Sequence, residues 1–136
     1  MSGVENKAIV RQFLEEVINY KNLAAMGQFI AANVTDHFKG SLTTYLVLAA
    51  FPDLRLTIEH MISEGDHVTV LSTFSGTHQA EFMNLTPTGK GVTGRVAHSF
   101  RVVDGKIVEL WAEFEPWGLM QQAGVSPLAN APNPTF

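Results

Sequence analysis

Residues 54–74, LRLTIEHMISEGDHVTVLSTF, decide the fold class. Leu56, Ile58, His60 and Ile62 alternate with other residues before Glu64-Gly65-Asp66, and Val68, Val70, Ser72 and Phe74 alternate after it. A period of two marks a half-buried strand, and two such runs joined by a glycine-containing turn predict an antiparallel hairpin. Upstream the period is near 3.6. Val10, Phe13, Leu14, Val17 and Ile18 recur at three- and four-residue spacing behind a Ser2/Glu5 capping box, so a helix is expected to about Tyr20. Asn22 is placed to cap a second, short helix carrying Leu23, Met26, Phe29 and Ile30. A third starts near Ser41 and must end by Phe51, because Pro52 disfavours a helical conformation in the residue before it. The intervening Asn33–Phe38 reads as an irregular link.

Downstream, Gly76 to Gly91 holds turn formers and Pro87 and reads as a long connection. Strands follow from about Val92 to Val103 and from Lys106 to Phe114, joined by Asp104-Gly105, a strong hairpin signal. Pro116 can open a last helix, Trp117 to Gln122, with Gly124 ending it. Helices first and an antiparallel sheet second argue for an α+β fold with the helices on one sheet face. Residues 1–125 form one domain, and the tail 126–136, with three prolines, is expected to be flexible.

The chain has 136 residues, enough for one core without staples. Apolar residues make up 46% and charged residues 16%, the latter below the roughly 25% of an average soluble protein. A net charge of −4 has the wrong sign for nucleic-acid phosphates or anionic lipid, so neither nucleic acid nor membrane is an expected partner. The longest nearly apolar run, Tyr45 to Phe51, is far short of the roughly 20 residues that span a bilayer. With no basic, then apolar, leader at Met1 to Lys7, a cytoplasmic location is expected. Without cysteine there is no disulfide framework or thiolate, and a metal would need His and carboxylates. No His-x-His, His-Glu-x-x-His, dinucleotide, phosphate-loop or Gly-x-Ser-x-Gly pattern occurs, so neither metal nor nucleotide cofactor is expected.

Apolar content chooses the register of the last hairpin. A two-residue turn would set Phe100 against Glu109 and His98 against Trp111; a three-residue loop ending in Gly105 sets Phe100 against Val108, His98 against Leu110 and Val96 against Ala112. The second gives one coherent apolar face of Val96, Phe100, Val108, Leu110, Ala112 and Phe114, with His98 as its only strongly polar member. His60 is expected to face inward in the same way between Ile58 and Ile62. A buried imidazole must find a hydrogen-bond partner or a solvated cavity, which makes both candidates for a site. His67 reads as solvated and His78 as a loop residue. His37 can reach the mouth of a pocket. Glu109 and Glu113 read as an outer face, whereas Glu115 precedes Pro116, where the strand bends, and can turn toward the cavity.

An ordered series of short motifs then resembles one family. Phe51-Pro52-Asp53-Leu54-Arg55, Ser63-Glu64-Gly65-Asp66, Gly76-Thr77-His78, Pro87-Thr88-Gly89-Lys90, Phe100-Arg101, Asp104-Gly105-Lys106-Ile107-Val108-Glu109 and Gly118-Leu119-Met120-Gln121-Gln122 are similar to the SnoaL-like polyketide cyclases of the nuclear-transport-factor-two-like superfamily. The resemblance covers about Val10 to Gly124. It implies a cone formed by a curved, mostly antiparallel sheet and three or four helices around a deep apolar pocket, commonly as a homodimer. It also implies cofactor-free ring closure of a hydrophobic, oxygenated polyketide by intramolecular aldol condensation, with a carboxylate as acid and base. Isomerases, dehydratases, hydrolases and non-catalytic binders of small molecules share the superfamily, and fold alone does not choose among them.

The chain departs from that pattern where it matters. Many relatives carry His then Asp around the tryptophan of the last strand, here Leu110-Trp111-Ala112, and an aspartate at the position of His98. The expected machinery is therefore His98 as general base or acid, with His37 or Glu115 as its partner. His60, Ser72, Phe74, Phe100, Leu110, Ala112, Phe114 and Trp117 are the expected substrate contacts.

Overall fold

The structure, a computed structural model, describes residues 2–37, 43–82 and 86–114. The capping box closes as expected: the Ser2 hydroxyl accepts from the Glu5 backbone N–H at 3.2 Å, and the Glu5 carboxylate accepts from the Ser2 N–H at 3.4 Å. Helix α1, Gly3–Phe13, continues as a π-helical turn over Leu14–Asn19 and so ends about where the periodicity does. Lys21 stops it with a positive φ of 62°. Its ammonium donates to the carbonyls of Ile18, Asn19 and Leu54, which offsets the strain of that backbone conformation. Asn19 donates to the Leu56 carbonyl at 3.0 Å and accepts from the Leu56 N–H at 2.7 Å, tying the helix end to the sheet as a neighbouring strand would.

The second helical segment is a 3-10 turn, Leu23–Ala25, followed by α2, Met26–Phe29. Asn22 does not cap it; its amide donates instead to Glu16 at 2.7 Å. Ile30 is not helical either. It opens β1, Ile30–Asp36, which pairs in parallel with the last strand, so the expected irregular link is corrected to an edge strand. The segment lacks apolar alternation and is held by its partner's backbone, a tertiary preference that overrides local pattern. Helix α3, Thr43–Ala50, stops before Pro52 as expected.

Strands β2 (Arg55–Glu64), β3 (His67–Thr77), β4 (Gly91–Val103) and β5 (Lys106–Phe114) form, with β1, one curved sheet in the order β1-β5-β4-β3-β2. Every pairing except β1–β5 is antiparallel. The helices cover one face, where Val10, Phe13, Leu14 and Val17 pack on Val68, Val70 and Phe100. Phe13 meets Phe100 edge-on at 5.9 Å. The architecture is the expected α+β fold. The last helix (117–122) and the tail 126–136 lie outside the described residues.

Two bulges change which side chains face the helices. In β2 the register passes from Ile58↔Ser72 to His60↔Leu71, leaving Glu59 unpaired. Below it Met61 and Ser63 oppose Val70 and Val68, while His60 and Ile62 turn outward. In β5 the turn has two residues, with Asp104 (φ 50°) and Gly105 (φ 79°) both left-handed and Val103 opposite Lys106. A surplus residue at Val108 then shifts the ladder, setting Phe100 against Leu110, His98 against Ala112 and Val96 against Phe114. Neither register considered from sequence is the observed one. Ile107, fully buried, takes the inward place expected of Val108, yet Val96, His98, Phe100, Leu110 and Ala112 keep theirs.

Candidate active site

Between helices and sheet lies a cavity of about 430 Å³, counting its open side. Phe13 and Ile18 reach it from the first helix, Thr44 and Val47 from α3, and Leu56, Phe74 and Leu110 from the sheet. The one titratable side chain on its described lining is His98. Strand alternation puts it there, opposite Val70 on one side and Ala112 on the other. Its ring stacks on Phe100 with centroids 5.6 Å apart and planes 16° apart.

Nδ1 of His98 is buried and has no hydrogen-bond partner among the described residues. Such a group costs about 1–3 kcal/mol, and the cavity beside it can offset that cost only when something polar enters. Burial pushes the imidazole pKa down from 6.5 to about 4, with the Asp36 carboxylate acting in the opposite sense. The ring is therefore neutral at pH 7 and able to accept a proton.

Asp36 is the residue that sequence reading missed. It ends β1 in register with Leu110, and neighbours in a parallel pair share a face, so Asp36 stands on the cavity side of the sheet. The available signal was the dipeptide Asp36-His37 itself: once this segment is a strand, only one of the two can face inward.

His37 takes the other side, contrary to its expected place at the pocket mouth. Its Nε2 donates to the Glu109 carboxylate at 3.0 Å, and its ring lies flat on Trp111 at 4.6 Å. That hydrogen bond is the leading cause holding the Glu109 carboxyl below its usual range. Arg101 bridges Glu109 to Asp66, which also meets His67 at 2.9 Å, so a chain of exposed charges runs across the outer face. His60 lies on that face too, exposed beside the half-exposed Leu71; the Glu59 bulge put it there.

Of the expected substrate contacts, Phe74 and Leu110 line the cavity. Phe100, Ser72 and Ala112 belong to the same inward wall without lining it, and the Ser72 hydroxyl is buried without a partner among the described residues. Phe114 is paired through its backbone to Val96, and its side chain is not among those described. Glu115 and Trp117 lie outside the described residues. His78 holds a loop: buried, it stacks on Phe51 at 5.5 Å, and its backbone N–H and C=O bond Lys90 and Gly89. Among the described residues no three His, Asp or Glu side chains converge on a point where a metal could bind.

Solved structures with this architecture are numerous. AclR from Streptomyces galilaeus, a candidate hydroxylase, superposes with a TM-score of 0.77 at 28% identity, over 90% of this chain and 98% of its own. IdmH from Streptomyces antibioticus, a candidate polyketide cyclase, gives 0.71 at 26% identity, over 88% and 99%. A SnoaL-like polyketide cyclase from Agrobacterium tumefaciens gives 0.76 at 20% identity, over 90% and 98%, a likeness of fold. No curated protein matches the chain. The sequence profile of the SnoaL-like polyketide cyclases matches residues 8–123, nearly the whole of the cavity-bearing fold described above, and the chain belongs to that family.

Proposed function

We propose that the protein closes a ring in an aromatic, oxygenated polyketide-type substrate by intramolecular aldol condensation, without a cofactor and with His98 as the proton carrier. The observation that carries this reading is a neutral imidazole, one nitrogen without a partner among the described residues, on the wall of a cavity whose other described lining is apolar apart from Thr44. His98 takes a proton from an activated methylene, and the electron pair left on carbon attacks a ketone carbon of the same molecule. The alkoxide so formed takes the proton back. Holding the two carbons together contributes several kcal/mol on its own. A base with a pKa near 4 is weak in the empty cavity, but enolate charge developing beside the ring favours the imidazolium, so basicity rises as the reaction proceeds.

The test is turnover of an aromatic polyketide bearing an activated methylene and a ketone. His98→Ala is expected to lose roughly 10²-fold or more in kcat, the usual worth of a general base, while equilibrium binding of the substrate stays near the parent value. Equal rates in parent and variant would falsify the assignment. Binding without any product would point to a carrier of hydrophobic small molecules. A product other than the ring-closed one would point to isomerase, dehydratase or hydrolase chemistry, or to the hydroxylation for which AclR is a candidate.

A further inference from the structure

The described lining of the cavity supplies a base but no carboxylate, and the residue directly across from His98 is Ala112. One strand further along, Asp36 stands on the same face. We propose that Asp36 is the positioning carboxylate of His98, stabilising across β5 the imidazolium that forms when the ring takes the substrate proton; this rests on the reading of His98 as proton carrier. Asp36 is level with Leu110 and Phe100 and His98 with Ala112, so the two sit two strands apart and two residues offset along them, about 12 Å between backbones at ordinary strand spacing and rise, a range over which they couple through charge. Between them stand Leu110 and Ala112, and the single methyl of Ala112 leaves the interior beside the ring low and apolar. His98 is buried and Asp36 half-buried, so water screens the charge less than it does between two surface groups.

Among the described residues, the groups around His98 on the other packed elements carry no charge. Val70 on β3 and Ala112 on β5 pair with His98, and Phe13 on the first helix, Thr44 on α3 and Leu110 on β5 line the same cavity. Among the described residues Asp36 is the charged group whose field the ring feels. In the reaction it exchanges no proton. The proton passes from substrate carbon to His98 and back to the alkoxide, and the carboxylate lowers the energy of the charged state between those transfers.

The experiment is the pH profile of kcat/KM for the parent, Asp36→Asn, Asp36→Asn with Ala112→Asp, and His98→Ala. Removing the charge is expected to cut the plateau roughly tenfold or more and to move the acid limb to lower pH, because the imidazolium loses its counter-charge; KM stays near the parent value. Ala112→Asp in that background places a carboxylate directly across from the ring, and is expected to recover part of the rate and move the limb back up. Asp36→Ser is run in parallel, so a folding defect in one variant does not decide the outcome, and circular dichroism checks each. A parent-like profile in Asp36→Asn or Asp36→Ser, with His98→Ala inactive, overturns the proposal and leaves the reading of His98 standing. Parent-level turnover in His98→Ala removes both.

Discussion

His98 ties the stability of the protein to pH. Its folded-state pKa lies near 4, whereas the unfolded chain takes up the same proton near 6.5. The unfolded state therefore binds more protons in between, so this contribution is fully present above pH 6.5 and is lost as pH falls toward 4, by roughly 3 kcal/mol in all. Denaturant unfolding at pH 7, 5.5 and 4.5 should show the parent losing more stability than His98→Leu over that window; parallel losses would contradict the buried neutral ring. His98 was legible because strand alternation around Val96 and Phe100 needs no tertiary information. His37 and His60 were not, since both depend on where a neighbouring strand places them. The geometry makes a contrary prediction for His37. Bonded to Glu109 and stacked on Trp111 outside the sheet, it should be replaceable by Ala with turnover within about twofold of the parent, as expected of a group away from the reacting atoms. A large loss in a steady-state assay would restore it to the site.

Elements were easier to read than their registers. Gly65 and Asp104-Gly105 announce both hairpins because left-handed backbone at a tight turn favours those residue types, and both positions do adopt positive φ. Nothing comparable marks Glu59 or Val108 as surplus, and β1 has no pattern of its own to announce it. Close packing of strand and side chain also shapes the cavity at Gly94. A Cβ there would stand 2.9 Å from Cε1 and 3.0 Å from Cζ of Phe74, a ring on the cavity wall. Gly94→Ala should therefore push that ring toward the cavity. Affinity for the substrate or an apolar reporter dye should fall several-fold, with a modest cost in stability of about 1–3 kcal/mol from overpacking. Unchanged affinity in a titration would mean that the ring moves away from the cavity instead.

For the molecule as a whole, the order of helices before sheet and the length of one domain were enough to predict the fold class, because a helical stripe and a one-sided sheet must cover each other. The cavity was legible only as a resemblance; its shape depends on contacts among the first helix, α3 and the sheet that no local pattern encodes. Filling it should register globally. Leu110→Trp, which enlarges a lining side chain, is expected to weaken ligand binding and to shrink the rise in Tm that saturating ligand gives the parent, since that rise follows from binding to the folded state alone. A thermal shift equal to the parent's would mean the ligand sits elsewhere.

The two surplus residues also say where the gene has slack. Ile58 already faces inward and His60 outward, so losing the codon for Glu59 would join two stretches whose alternation is continuous across the gap; the same holds for Ile107 and Glu109 around Val108. Elsewhere in these strands, dropping one codon would invert every side chain beyond the cut. In a lineage of such proteins, changes in strand length should therefore accumulate at these two positions and leave the hollow between helices and sheet as it was.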